Sequence, residues 1–185
     1  MNGDNNDSDV SAAVTLGLLA AWVAHDAEEL ATGPGWIREN LPALRTRVPA
    51  APERLWRAME AVDEREFAVA VGMMGAVVAA AAVAGRRTGG RSGFYQGALD
   101  GFGLHGVVHI AQAVAVRGYT PGSVTSPLLV VPFTLWARTR LRRAGVLRQS
   151  RARDVAAGLG LAAAATVLSH TVARRVLADR RKPAV

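Results

Sequence analysis

The sequence predicts an all-α fold, a polytopic membrane helical bundle of about five transmembrane helices, and three observations carry that expectation. Half of the 185 residues are apolar. These residues gather into blocks of about twenty, the length that crosses a hydrocarbon core roughly 30 Å thick. The charged residues lie mostly between the blocks, as they do in chains that cross a bilayer several times. The expected location is therefore the cell membrane, with several passes.

The net charge of +7 is almost entirely arginine, with Lys182 the only lysine. A basic chain can bind nucleic acid. Here the arginines flank apolar blocks, so anionic lipid head groups explain them and no nucleic-acid partner is expected. The expected partner is the lipid bilayer. With no cysteine in the chain, disulfides, thiol nucleophiles and cysteine-based zinc sites are excluded, and a metal would have to use histidine and carboxylate.

Residues 1–9 are small and polar around Asp4, Asp7 and Asp9 and read as a disordered acidic tail. The first apolar block, 10–31, follows an acidic segment where a signal peptide would be positive, so it reads as a retained helix. Thr32-Gly33-Pro34-Gly35 is expected to stop it. Residues 32–66 read as an interfacial connector, in which Pro42, Pro49 and Pro52 interrupt any long helix. Trp36 and Trp56 suit head-group level, and a short surface helix is expected within 52–62.

The second block, 67–84, is rich in Ala, Val and Met and ends at an arginine and glycine cluster. The third, 94–116, carries Asp100, His105, His109 and Gln112, a polar load that must face protein rather than lipid. Ala98 and Gly101 continue the histidine stripe and are expected to let another helix approach closely. A compact turn at Arg117-Gly118-Tyr119-Thr120-Pro121-Gly122 leads into a fourth block, 124–137, extending toward Leu141 and containing Pro127 and Pro132. Residues 10–141 thus form a membrane core of about four helices. Residues 142–185 add a basic connector, a fifth helix over 155–173 with its lone His170, and a basic tail. Under strict alternation, 12 Lys and Arg residues fall on one side and 10 on the other, so charge leaves the orientation open.

The candidate site begins at His25-Asp26-Ala27-Glu28-Glu29. On a helix His25, Glu28 and Glu29 stand at i, i+3 and i+4, which places an imidazole and two carboxylates on one face. His105 and His109 are again four apart. In their blocks His25 and His109 lie six and seven residues from the C-terminal end, so with alternating helices both sit about 10 Å inside the same surface at 1.5 Å per residue. Glu66, opening the second block, is expected near the mouth of the same cavity. Such a donor set suits zinc, or iron or manganese, and does not choose among them. If Glu28 or Glu29 is not a ligand, it is a candidate general base.

These residues resemble the HXXEE family of bacterial membrane proteins. Beyond the motif itself, Arg65-Glu66-Phe67, His105-x-x-x-His109 with Gln112, and Tyr119-Thr120-Pro121-Gly122-Ser123-Val124-Thr125 look like the family pattern, over about residues 14–136. The family pattern carries acidic residues in the second helix, where this chain has Val71-Gly72-Met73-Met74-Gly75. The family has no established biochemical function. Its histidines and glutamates imply metal binding or catalysis, which transfers here to His25, Glu28, Glu29, His105 and His109. The expected function is a metal-dependent membrane enzyme of hydrolase or oxidoreductase type acting on a lipid-like or small substrate. The alternatives are a proton- or ion-coupled carrier, with Asp100 as a step in its path, and a structural or assembly subunit in which the same residues are interhelical glue.

Overall fold

In the computed structural model, residues 10–148, 167–169, 171–172 and 175 are described. They are helical, and no strand forms among them. Most of the fifth block, His170 included, lies outside the described residues. The elements are α1 (Ala12–Thr15), α2 (Gly17–Arg47), α3 (Glu53–Glu60), α4 (Glu64–Arg87), α5 (Gly93–Val116), a π-helical segment (Ser126–Val130) and α6 (Val131–Arg143).

α4 and α5 match the second and third blocks to within a few residues, because both ends are written locally. Asp63 caps α4 by accepting from the Glu66 amide at 2.7 Å, and Arg86 and Arg87 complement the helix dipole in its last turn. The Ser92 side chain accepts from the Tyr95 amide to start α5, and Arg117 ends it in the left-handed conformation at φ 55°. α4 and α5 are long and apolar enough to cross a membrane. The expected surface helix is α3, which buries Trp56.

α2 departs from expectation. It runs straight through Thr32-Gly33-Pro34-Gly35 and through Pro42, ending only at Arg47. A proline inside a helix removes one backbone hydrogen bond and costs about 3 kcal/mol, but tertiary packing can outweigh local propensity. Gly33 and Pro34 are buried, and Gly33 packs against the Phe67 ring of α4. The Thr32 hydroxyl donates to the Glu28 carbonyl at 2.8 Å, and Thr46 to the Pro42 carbonyl at 3.1 Å. The fourth block likewise becomes two pieces, the π-helical segment and α6, with Pro127 and Pro132 near their starts.

α2 and α4 run antiparallel, Gly33 facing Phe67 at one end and Gly75 facing Trp22 further along. The core comprises Val14, Leu18, Val78, Tyr95, Leu99, Phe102, Val130, Ala137 and Leu141 among others. Tyr95 is fully buried, and its hydroxyl donates to the Val14 carbonyl at 2.5 Å. Gly103 comes close to α6, against Thr134, and Gly106 to the π-helical segment, against Val130. Of the two residues expected to provide such an approach, Ala98 packs against the core and Gly101 faces open space.

A Cβ at Gly85 would stand 2.5 Å from Tyr95 Cγ. Gly85→Ala therefore forces the buried ring to move and should destabilise the fold by about 1–3 kcal/mol. Gly101→Ala meets nothing and should be neutral, or stabilising by up to about 1 kcal/mol through helix propensity. Thermal unfolding in detergent distinguishes the two.

Candidate metal centre

α2 supplies His25 and Glu29, and α5 supplies His105 and His109, each pair one helical turn apart. One donor atom from each of these four residues lies within 4.8 Å of every other. His109 Nε2 stands 3.0 Å from Glu29 Oε1 and 2.9 Å from His105 Nε2, while His105 Nε2 is 3.9 Å from Glu29 Oε2. The His25 ring meets those of His105 and His109 edge-on, with centroids 5.1 and 5.2 Å away. The common level inferred for His25 and His109 from their positions in the two blocks is thus seen in space.

The cluster is rich in lone pairs and poor in hydrogens. A neutral imidazole carries one N–H and one lone pair, and an ionised carboxylate only accepts. His25 Nε2 and His109 Nδ1 are buried without a hydrogen-bond partner. Leaving such a group unsatisfied costs about 1–3 kcal/mol. Three imidazoles and a carboxylate converging on one point, with unpartnered nitrogen among them, fit a divalent cation, and the donor types suit zinc, iron or manganese.

The five residues singled out by spacing do not all join this group. Glu28 lies outside it, because neighbours on a helix diverge by 100°. Its carboxylate accepts from the Thr125 amide at 2.8 Å, the Thr125 hydroxyl at 2.6 Å, the Tyr119 hydroxyl at 3.0 Å and the Val124 amide at 3.3 Å. Two backbone amides and the Thr125 hydroxyl engage both carboxylate oxygens, and the Tyr119 hydroxyl is shared between Glu28 and Thr32 Oγ1 at 3.0 Å each, so Glu28 is committed to the turn rather than to the cluster. Burial pushes the Tyr119 phenol pKa up, with the Glu28 carboxylate adding to that direction, which keeps the hydroxyl a donor.

The other polar residues of the sequence pattern are placed elsewhere. Asp100 pairs with Arg138 of α6. Gln112 is exposed. Glu66 is buried in the first turn of α4 and does not belong to the group of four. Asp26 is buried with Oδ2 unpartnered, and nothing else in the structure assigns it a role.

Two site residues escaped sequence reasoning. Thr125 places its hydroxyl 2.7 Å from His25 Nδ1. Gly122, at φ 78°, lies so close over the histidines that a Cβ would be 2.8 Å from His25 Cε1 and 2.9 Å from His109 Nδ1. The turn ending at Gly122 was legible, but Thr125 fell in the block expected after it, and the seat of both on α2, about a hundred residues away in sequence, was not legible.

A helical bundle whose helices share an interior His/Glu cluster is the class that this fold and site define. The family model for a protein of unknown function with HXXEE motif matches residues 16–137, and the chain belongs to that family. No curated protein and no solved structure matches it.

Gly122→Ala combines a strained positive φ with a clash against two cluster histidines. It should destabilise the fold by about 1–3 kcal/mol or more and displace the His25 ring. Gly118→Ala, in open space, is the matched control, and thermal unfolding is the readout.

Proposed function

We propose that the chain is a multi-pass protein of the cell membrane in which His25, Glu29, His105 and His109 hold a divalent metal ion used for hydrolase- or oxidoreductase-type chemistry on a lipid-like or small substrate. The observation that carries the reading is the convergence of four donor atoms within 4.8 Å, with His25 Nε2 buried and without a hydrogen-bond partner. Ionisable groups at membrane depth are costly and default to function. α4 and α5 support the membrane placement by length and apolarity, and α2 and α6 pack with them around one core.

In this reading His25, His109 and Glu29 form the buried wall of the site. His105 stands at its rim, its side chain 45% exposed, and marks the side from which a substrate arrives. When bound, the ion would supply Lewis-acid polarisation or an acidified water, and iron or manganese would add redox capacity. Glu28, committed to its donors in the turn, holds that turn rather than moving a proton. The ion pair of Asp100 with Arg138 removes the residue that would have extended the cluster into a proton path, which weighs against a carrier.

Metal content of detergent-purified protein tests the proposal. The wild type should carry or take up one equivalent of zinc, iron or manganese, and single alanine variants of the four ligands should lose it, whereas Gln112→Ala should not. Added metal should raise the wild-type unfolding temperature by mass action, about 2.7 kcal/mol at a hundredfold excess over Kd. A wild type that refuses all three metals overturns the reading. Carbonate extraction checks the membrane assignment, and recovery of the chain in the soluble fraction would refute it.

A further inference from the structure

Thr125 stands between two residues of the HXXEE motif that face different ways. Its hydroxyl oxygen is 2.6 Å from Glu28 Oε2 and 2.7 Å from His25 Nδ1. A hydroxyl has one hydrogen to give and lone pairs to accept with. Glu28 is surrounded by donors, two of them backbone amides that can do nothing else, so it acts as an acceptor and takes the Thr125 hydrogen. The Thr125 oxygen is then left to accept, and the group facing it is His25 Nδ1. That nitrogen must carry the imidazole hydrogen. The lone pair of His25 consequently sits on Nε2, the nitrogen that is buried without a hydrogen-bond partner.

From this chain of contacts we infer that Glu28 and Thr125 form a tautomer lock, which fixes His25 in its Nδ1–H form and presents Nε2 as a donor to the metal. The inference rests on the metal-centre reading for its purpose but not for its geometry. It gives the motif letters distinct work, His25 and Glu29 as ligands and Glu28 as the residue that orients one of them through an intermediary. Thr125 is accordingly a positioning residue. Gly122 over His25 Cε1 and the Phe102 ring edge-on at 5.9 Å restrain the same imidazole. A fixed tautomer matters because a histidine whose hydrogen sits on the wrong nitrogen must shed or move it before it can ligate.

The chain has four histidines, so nitrogen NMR of histidine-labelled, full-length protein in micelles can resolve each one, with His25 assigned by its loss in His25→Ala. In metal-free wild type, at a pH where the ring is neutral, His25 should show a protonated Nδ1 and an unprotonated Nε2. Thr125→Val should give a mixture of tautomers, and Thr125→Ser should restore the wild-type pattern. In a parallel zinc titration Thr125→Val should bind about 10–100-fold more weakly than wild type, and Thr125→Ser within about threefold of it. An Nε2–H tautomer in wild type overturns the proposal, as does a folded Thr125→Val with wild-type zinc affinity and an unchanged His25 spectrum. Should Thr125→Val not fold, the wild-type tautomer decides alone. Should the wild type bind no zinc, iron or manganese, the metal reading fails while the tautomer measurement still decides the lock.

Discussion

The hold of Glu28 on the turn after α5 is the interaction on which the rest of the site depends. That turn must leave α5 through left-handed Arg117, pass Gly122 at positive φ and start a helix again at Ser126. The first amides of a new helix lack intrahelical partners, and a carboxylate is the favoured cap at that end. Here the cap comes from a different helix: the Val124 and Thr125 amides both donate to Glu28 of α2. One carboxylate thereby satisfies two backbone amides, joins α2 to the π-helical segment, and sets Thr125 and Gly122 against the histidines.

The unbroken course of α2 reinforces that seat. Had the helix ended at Thr32, its later residues could not have lain alongside the end of α5. Because it continues, the Trp36 indole donates to the Tyr119 carbonyl at 2.9 Å and Arg47 donates to the Val116 carbonyl at 3.1 Å. Pro34 is buried beside Gly33, which packs on Phe67 of α4, and that packing holds the helix through its first expected break. Local rules name the weak points of a helix, and the packing around those points decides whether it breaks.

This contrast explains what was legible in the sequence. α4 and α5 were readable because their apolar runs and caps are local, and the two pairs of site residues were readable because a helical turn fixes which side chains share a face. The division of labour between Glu28 and Glu29 was not readable. Both stand near His25 by spacing, and the 100° between them decides function only once the neighbours on each side are known. Thr125 and Gly122 were hidden for the same reason, since a hydroxyl or a missing Cβ has no meaning until the opposing surface is in place. The stripe of small residues misled in part: Ala98 does pack against the core, but Gly101 looked like a contact, whereas Gly103 and Gly106 make the approach to α6 and the π-helical segment.

The arrangement also gives the cluster a direction. His25 is fully enclosed by the turn, Gly122 and Phe102, and His109 and Glu29 are nearly so, while His105 is the ligand candidate with substantial exposure. Its Nε2 sits farther from the Glu29 carboxylate than that of His109, 3.9 against 3.0 Å. The well-restrained donors therefore lie on the turn side and the least restrained one at the opening. His105 lies on the outer face of α5, where Gly101 and Val108 leave an open, uncharged surface. Under the membrane reading proposed above, a restrained polar wall behind and an open, uncharged approach in front would keep charged donors shielded while leaving the cluster reachable beside His105.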